Sequence, residues 1–197
     1  MGKIFYIMGK SAVGKDRIYS VLRRDKELNL KNILLYTTRP IRKGERDGVD
    51  YYFIDEEQIQ MFQKEEQIIE MRSYQTVHGI WRYLTVNDGQ FQLEQQSCIM
   101  IGTLESYEKM KQYFGSSLLV PIYVKVDDGI RLERALKRER EQENPKYSEL
   151  CRRYLADEKD FSQEKLKASG ISNFFENNNF EVCIAQIKQY IKTEMDN

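Results

Sequence analysis

The most informative stretch of this chain is the run of eight residues Gly9-Lys10-Ser11-Ala12-Val13-Gly14-Lys15-Asp16. Their spacing is G-x-x-x-x-G-K, and they follow Lys3–Met8, a short apolar run rich in strand-forming residues. A helix-compatible stretch from Lys15 to Leu28 comes next. Glycines in such a turn let consecutive backbone N–H groups face an anion, and the start of the helix adds positive potential. The stretch therefore predicts a phosphate-binding loop, with an ordinary strand–helix turn as the alternative.

Two residues give this loop its expected chemistry. The Lys15 ammonium can reach the β- and γ-phosphates of a nucleotide as a point charge. Asp16 stands where Ser or Thr usually contacts Mg²⁺, and the neighbouring predicted strand, Ser97–Ile101, contains no carboxylate. We hypothesise that Asp16 supplies the anionic part of a Mg²⁺ site. The alternative is an acidic residue that only stabilises the start of the helix through the helix dipole.

The rest of the chain alternates short apolar runs with helix-compatible segments and shows no internal repeat. The pattern predicts further strands at residues 32–36, 97–101, 118–124 and 171–175, and helices at residues 55–67, 104–113, from 126 to a break near Asn144-Pro145, 147–161 and 182–191. Strands that alternate with helices predict a parallel α/β sheet. The continuous apolar run Leu118–Val124 predicts that both faces of this sheet are covered.

Two segments add detail to this prediction. Residues 37–90, whose last part alternates aromatic and polar positions, predict an insert with antiparallel strands between 68 and 90. The helix predicted at 147–161 carries an apolar stripe at spacings of three and four, in which Glu158 is the one polar member. The other members of the stripe are Tyr147, Leu150, Cys151, Tyr154, Leu155 and Phe161.

Composition limits the class of protein. The 197 residues are 41% hydrophobic and 31% charged, with 31 basic and 31 acidic residues, which predicts one compact domain and argues against bulk nucleic-acid binding. No apolar run approaches the roughly 18 residues that span a bilayer, and no secretory signal pattern opens the chain. Three cysteines, which cannot all pair, suggest a reducing cytosol. Residues 1–48 carry twelve Lys/Arg and five Asp/Glu, which indicates a local anion site.

A second anion site is indicated by residues 37–53, which read TTRPIRKGERDGVDYYF. Arg39 and Arg42 can converge on one phosphate from a single loop, with the Tyr51 hydroxyl nearby. Guanidinium groups suit the geometry of a phosphomonoester. A solvated basic loop, the alternative, would not explain the glycines and aromatic residues at these positions.

These residues complete the pattern T-T-R-x-x-R-x-G-E-x-x-G-x-D-Y-x-F, and with it the chain resembles the guanylate kinase family of P-loop nucleoside monophosphate kinases. The resemblance is sharp over residues 1–55 and looser, but continuous in order, to about residue 190. It implies a P-loop three-layer α/β/α fold with a parallel core sheet, an inserted monophosphate-binding β subdomain and a helical lid. The implied boundaries are a core of residues 1–36, 95–130 and 168–197, an acceptor-binding subdomain of residues 37–90 and a lid of about residues 131–167.

The resemblance also implies an activity and its partners. The expected reaction is transfer of the γ-phosphoryl group of ATP, with Mg²⁺, onto a nucleoside monophosphate, GMP first of all. The chain is expected to be a cytoplasmic monomer or homodimer that binds neither nucleic acid nor membranes. In-line transfer needs no side-chain nucleophile, so the catalytic set would be Lys15, Arg39, Arg138 and Arg153, which stabilise charge and position the substrates.

Site residues follow from the same resemblance. Arg39, Arg42 and Tyr51 would hold the acceptor phosphate, and Glu70 falls where the family's acid reads the guanine edge. Tyr83 and Thr85 match the family's Tyr-Gly-Ser/Thr segment, although Leu84 replaces Gly.

On the donor side, Arg134 and Arg138 match the R-x-x-x-R spacing of the family's lid, and Arg153 sits where a further lid arginine returns. A solvated, charge-rich helix is the alternative for these three. Asn177 resembles a position near the donor adenine. His78, the single histidine, is predicted to be structural.

The chain departs from the family pattern in the residues expected to contact the nucleotide base. Both acids of the family's I-L-D-I-D strand are missing from residues 99–106, and Leu35 or Tyr36 replaces a serine. The remaining base-reading set is Glu70 with Thr85 or Thr103. A second hypothesis is therefore a kinase for another phosphorylated acceptor, such as a deoxynucleotide, a sugar phosphate or phosphomevalonate. A third is an inactive guanylate-kinase-like binding module.

Overall fold

The computed structural model describes residues 1–76 and 79–196, so His78 lies outside the described residues. The strands are β1 (Ile4–Met8), β2 (Lys31–Asn32), β3 (Tyr36–Thr37), β4 (Tyr52–Phe53), β5 (Ile68–Thr76), β6 (Gly79–Val86), β7 (Cys98–Ile101), β8 (Leu119–Lys125) and β9 (Phe174–Glu176). The helices are α1 (Lys15–Leu22), α2 (Glu56–Lys64), α3 (Leu104–Phe114), α4 (Asp128–Arg140), α5 (Tyr147–Asp160), α6 (Gln163–Ala168) and α7 (Phe180–Asp196). None of these helices combines the length and apolar character that a bilayer crossing requires.

The core is a five-stranded sheet in the order β2-β7-β1-β8-β9, and every pairing in it is parallel. β1 is its central strand and is buried along its whole length. Side chains of β8 alternate between two apolar clusters: Val120 and Ile122 pack in the cluster that includes α1 and α7, and Leu119 and Tyr123 in the one that includes α3. The predicted coverage of both faces is confirmed, and with it the three-layer α/β/α fold.

The insert forms a second sheet in the order β4-β3-β6-β5. β5 and β6 pair as an antiparallel hairpin, as the alternation between 68 and 90 predicts. β3 pairs antiparallel with β6 and parallel with β4, so the boundary predicted between residues 36 and 37 falls inside β3. The predicted N-cap Asp55 is confirmed, because its side chain accepts from the Gln58 backbone in a capping box.

The single strand predicted at 32–36 is wrong, because the chain crosses from one sheet to the other within it. β2 ends at Asn32 in the core sheet, and β3 begins at Tyr36 in the second sheet. Between them the Leu34 backbone N–H donates to the Gln90 side chain at 2.8 Å, and the Gln90 amide returns a bond to the Leu34 carbonyl at 3.2 Å. The Gln90 side chain thus makes the hydrogen bonds that a neighbouring strand would otherwise make with Leu34. The apolar run of residues 32–36 gives no sign of this arrangement.

Other boundaries also differ from the prediction, and the last helix, predicted at 182–191, is α7 (Phe180–Asp196). α1 ends at Leu22 rather than Leu28. The last strand is β9, three residues later than predicted, because only Phe174–Glu176 pairs with β8, although Ile171 is buried.

The apolar stripe predicted on α5 is largely exposed, which corrects the prediction that it packs as one face. Leu150 and the following Phe161 are buried, but Tyr147 is 47% and Leu155 63% exposed, and Cys151 is exposed. Among the described residues α5 packs chiefly against α4, which covers only part of the stripe.

Candidate functional site

The loop between β1 and α1 has the conformation of an anion cradle. Gly14 is the N-cap of α1 with φ 86°, and a Cβ there would lie 2.6 Å from the Asn177 amide nitrogen. That amide donates to the Val13 carbonyl at 2.8 Å, and Arg134 donates to the Asn177 carbonyl at 3.2 Å. Only glycine fits at residue 14, since both the positive φ and the close approach exclude a side chain. The predicted donor-side residues Asn177 and Arg134 are therefore brought to the loop.

Lys15 and Asp16 stand at the start of α1 without competing partners. Within residues 1–76 and 79–196, neither side chain forms a hydrogen bond or an ion pair, and Asp16 is exposed. Three or more metal-binding side chains do not cluster anywhere in these ranges. Mg²⁺ in phosphoryl-transfer sites needs only one or two carboxylates, because phosphate oxygens and water complete its coordination. A lone, unpaired Asp16 beside the cradle fits that requirement.

Two acids at the end of α5 contact the loop, which the sequence analysis missed. The Ser11 backbone N–H donates to Asp157 Oδ2 at 2.7 Å, and the Lys10 ammonium donates to both carboxylate oxygens of Glu158 at 2.7 Å. The signal available in the sequence was Glu158, the one polar member of the stripe.

Arg131 of α4, also missed, connects these acids. It is 1% exposed and contacts Asp157 at 3.2 Å, Glu158 at 2.6 Å and Asp128 at 3.0 Å. Its guanidinium also lies over the Tyr154 ring, 4.1 Å from the centroid. A buried guanidinium thus fixes α5 against α4 and brings carboxylates to the phosphate-binding loop.

The two lid arginines predicted to act in catalysis line one pocket beside the loop. Arg138 from α4 and Arg153 from α5 border this pocket together with Ser11 and Arg131. Arg153 also contacts Glu149 at 3.1 Å, with about half of its side chain exposed. The structure therefore brings these arginines together near Ser11, on the side of the loop that Asp157 contacts.

The predicted acceptor loop is organised around Arg39. Its guanidinium is held by both oxygens of Glu45, at 2.7 and 2.6 Å, and lies over the rings of Tyr51 and Phe53, at 5.0 and 5.4 Å from their centroids. The bonds from Arg39, the largest effect, hold the pKa of Glu45 below its ordinary value. Arg42 is exposed and contacts Glu45 through its backbone N–H at 2.9 Å. The loop is thus preorganised with one buried guanidinium and one exposed.

Tyr51 connects the acceptor loop to the phosphate-binding loop. Burial raises the pKa of the Tyr51 phenol most, and the neighbouring Tyr83 and the Asp16 carboxylate also raise it. Tyr51 packs edge-to-face on Tyr83 at 6.0 Å, and Tyr83 packs on Tyr74 at 5.7 Å. Tyr51 also packs against the apolar core cluster that contains residues of β1, so the acceptor loop lies against the core sheet from which the phosphate-binding loop leaves.

Glu70, the predicted base-reading acid, is buried in a network within the second sheet. Glu70 is 2% exposed and accepts from Thr85 at 2.9 Å and from Arg72 at 3.0 and 3.1 Å. Arg72 also donates to Thr103 at 3.2 Å. The structure therefore brings Glu70, Thr85 and Thr103 together, as expected of the remaining base-reading set, and adds Arg72, which the sequence analysis did not single out.

Comparisons with known proteins agree with this geometry. The guanylate kinase family model matches residues 1–194. The guanylate kinase of Corynebacterium diphtheriae is 39% identical over 79 residues, which are 40% of this chain and 39% of that protein. The matched segment thus spans about two-fifths of that relative's length. The guanylate kinase of Mesomycoplasma hyopneumoniae is 25% identical over 205 residues, 99% of this chain and 96% of that one.

One solved structure matches the whole fold. The crystal structure of guanylate kinase from Anaplasma phagocytophilum superimposes with a TM-score of 0.69 at 19% identity, over 100% of this chain and 87% of that one. At this level of identity the match concerns the fold.

Proposed function

Because the chain belongs to the guanylate kinase family, we propose that it transfers the γ-phosphoryl group of ATP to a nucleoside monophosphate and that GMP is the acceptor. The observation that carries the proposal is the pair of adjoining anion sites. One is a glycine-bounded backbone cradle with a Lys15 side chain that has no partner among the described residues, and the other is the Arg39 cluster, whose Tyr51 packs against the core cluster that contains β1. A donor triphosphate and an acceptor monophosphate need two such sites side by side.

The proposed roles follow from where each group lies. The loop residues 9–16 would hold the ATP phosphates, Arg134 and Asn177 would lie on the donor side, and Arg39, Arg42 and Tyr51 would hold the acceptor phosphate. Arg138 and Arg153 would neutralise charge that develops on the transferring group, because they border the pocket beside the loop. The lid of residues 131–167 would close on binding and exclude water from the phosphoryl group.

Asp16 would contribute the carboxylate of a Mg²⁺ site, and the ion would supply charge neutralisation between the phosphates when bound. D16A and D16S test this role by Mg²⁺ titration of ATP affinity. We expect both variants to need at least tenfold more Mg²⁺ for half-maximal ATP binding. Unchanged dependence in both would leave Asp16 with the alternative role at the helix dipole.

The cellular setting is also a proposal. Cys98 and Cys183 are buried as free thiols, and Cys151 is free as well, which favours a reducing compartment such as the cytoplasm. We expect the protein to be a monomer or a homodimer. Its expected partners are its nucleotide substrates.

An ADP-release assay with GMP tests the proposed function. Wild-type protein should release ADP in a GMP-dependent manner, and K15M should lower kcat/KM at least a hundredfold, because the ammonium that binds the β- and γ-phosphates is gone. K26M, a change of an exposed lysine outside the site, is the matched control. Turnover with another phosphomonoester but none with GMP would favour the second hypothesis. Absence of any nucleotide binding would favour the binding module.

A further inference from the structure

Two donors of the phosphate-binding loop are already bonded to carboxylates of α5. The Ser11 backbone N–H donates to Asp157 Oδ2 at 2.7 Å. The Lys10 ammonium, whose side chain is 14% exposed, donates to both carboxylate oxygens of Glu158 at 2.7 Å. Consecutive acids of α5 thus pair with consecutive residues of the loop. A phosphate chain that binds to this loop needs the same backbone N–H groups and the same cation.

The two acids are held at the loop from two sides. Arg131, which is buried, contacts Asp157 at 3.2 Å and Glu158 at 2.6 Å. About one turn further along the chain, Phe161 is buried in the core and stacks on Tyr123, with 5.7 Å between the ring centroids. Arg131 and Phe161 therefore fix the end of α5, and the fold itself places both carboxylates beside the loop.

The charges of this network oppose an incoming triphosphate. Two positive charges face three negative ones, carried by Lys10 and Arg131 and by Asp128, Asp157 and Glu158. The network is therefore net negative beside a loop that is expected to accept a polyanion. If the two carboxylates of α5 leave the loop, the groups that remain are net positive, which favours an anion.

Resting on the proposed function, we propose that Asp157 and Glu158 are a built-in competitor for the donor phosphates. Each carboxylate takes the position of phosphate oxygens, one at the Ser11 N–H and one at the Lys10 ammonium. ATP binds by displacing both. Its apparent affinity is therefore reduced according to the fraction of molecules in which the acids leave the loop free.

Tripolyphosphate, which has the donor's phosphates and no nucleoside, is the direct probe of this competition, together with ATP. Calorimetry should show that D157N/E158Q binds both ligands about tenfold more tightly than wild-type protein, or better, since two like charges and their bonds to the loop are weakened. GMP, which the proposed function places at the Arg39 cluster, should change by less than about twofold, because its site is a separate one.

The matched control removes two exposed acids of the same lid. D160N/E143Q makes the same change in charge, and Asp160 pairs with Lys165 at 3.7 Å. This variant should bind ATP and tripolyphosphate as wild type does. An equal gain in the control, or an equal gain for GMP in D157N/E158Q, would overturn the proposal, because the net charge of the lid would then explain the effect.

Stopped-flow binding separates a competitor from a pair of acids that prepare the site. A competitor that has to leave slows association, so D157N/E158Q should raise kon for ATP and leave koff within about twofold. Weaker binding with faster release in this variant would contradict the proposal, because the acids would then hold α5 in the conformation that ATP needs.

Single variants keep the test decisive if the double variant fails to fold by circular dichroism. D157N and E158Q each leave Arg131 one of its two partners on α5. Each should show part of the gain for tripolyphosphate and for ATP. No gain in either single variant would contradict the proposal.

The outcomes also separate this inference from the proposed function. Tighter binding of ATP and tripolyphosphate by D157N/E158Q, without ADP release in the presence of GMP, would remove the kinase activity and keep the competitor. Turnover of GMP by wild-type protein, with no gain in the variant, would do the reverse. If neither ATP nor tripolyphosphate binds to wild-type protein or to the variant, both fall.

Discussion

At the scale of single residues, the acceptor site depends on the shape of one guanidinium. Arg39 is 3% exposed, and Glu45 and the two flanking rings fix its plane before any ligand arrives. A phosphate oxygen can then meet donors that are already oriented. Lysine at this position would keep the positive charge but lose the planar, fixed arrangement of N–H donors that a guanidinium has.

R39K is therefore expected to raise KM for GMP at least tenfold while KM for ATP changes less than twofold. Steady-state kinetics with each substrate varied in turn measures both values. R46K, an exposed arginine of the same loop, should behave as wild type. An equal rise in both KM values would show that Arg39 acts on the whole fold rather than on the acceptor.

Glu45 gives the same cluster a pH dependence. Its pKa lies below the ordinary value of 4.5 because Arg39 bonds it, so it contributes stability above that pH and loses it as the pH falls through the lower, folded pKa. E45Q should accordingly be less stable than wild type in urea at pH 7, and the difference should shrink as the pH falls below 4.5. E94Q, an exposed acid, should show no such trend. A difference independent of pH would contradict the role of the charge.

At the scale of helices, the lid presents acids as well as arginines to the phosphate-binding loop. Asp157 accepts the Ser11 N–H, one of the donors expected to face phosphate, and is held there by Arg131. ATP binding must exchange this carboxylate for phosphate oxygens.

D157N should lower Kd for ATP about three- to tenfold, since one like charge near the triphosphate is worth about 1 kcal/mol in a solvated site. Asparagine keeps the shape and an acceptor oxygen, so the fold should persist. Calorimetry at two salt concentrations measures the effect, which should be smaller in high salt. D160N, the same charge change on α5, is the control. Weaker ATP binding in D157N would mean that Asp157 serves ATP by positioning Arg131.

The sequence predicts those elements whose pattern reflects local packing. β8 has side chains buried on both faces, and its unbroken apolar run predicts this. The crossing at Leu34 could not be predicted, because the residue that bonds it, Gln90, is far away in the chain. Arg131 and Arg72 look like solvated charges in the sequence, since burial of an arginine depends on carboxylates that only the fold brings near. The charged loop residues of the site can thus be predicted from the sequence, whereas their buried partners cannot.

At the scale of the whole molecule, the two sheets carry different halves of the proposed site. The phosphate-binding loop, which is the proposed donor site, follows β1 of the core sheet. The Arg39 cluster, which is the proposed acceptor site, lies in the loop between β3 and β4 of the second sheet. Tyr51 joins the two, because it packs with the core cluster while its ring lies beneath Arg39. Each ligand should therefore stabilise the fold through its own site. A substitution in one site should remove the stabilisation by that site's ligand alone.

Thermal unfolding tests this separation. A ligand at a hundred times its Kd adds about 2.7 kcal/mol to stability, which for a chain of this size raises Tm by about 5–10 °C. MgATP and GMP should each produce such a shift in wild-type protein, and their shifts should add. K15M should abolish the ATP shift and keep the GMP shift, and R39K should reduce the GMP shift alone. If K15M abolished both, GMP would be occupying the phosphate-binding loop, and the assignment of Arg39 to the acceptor would be wrong.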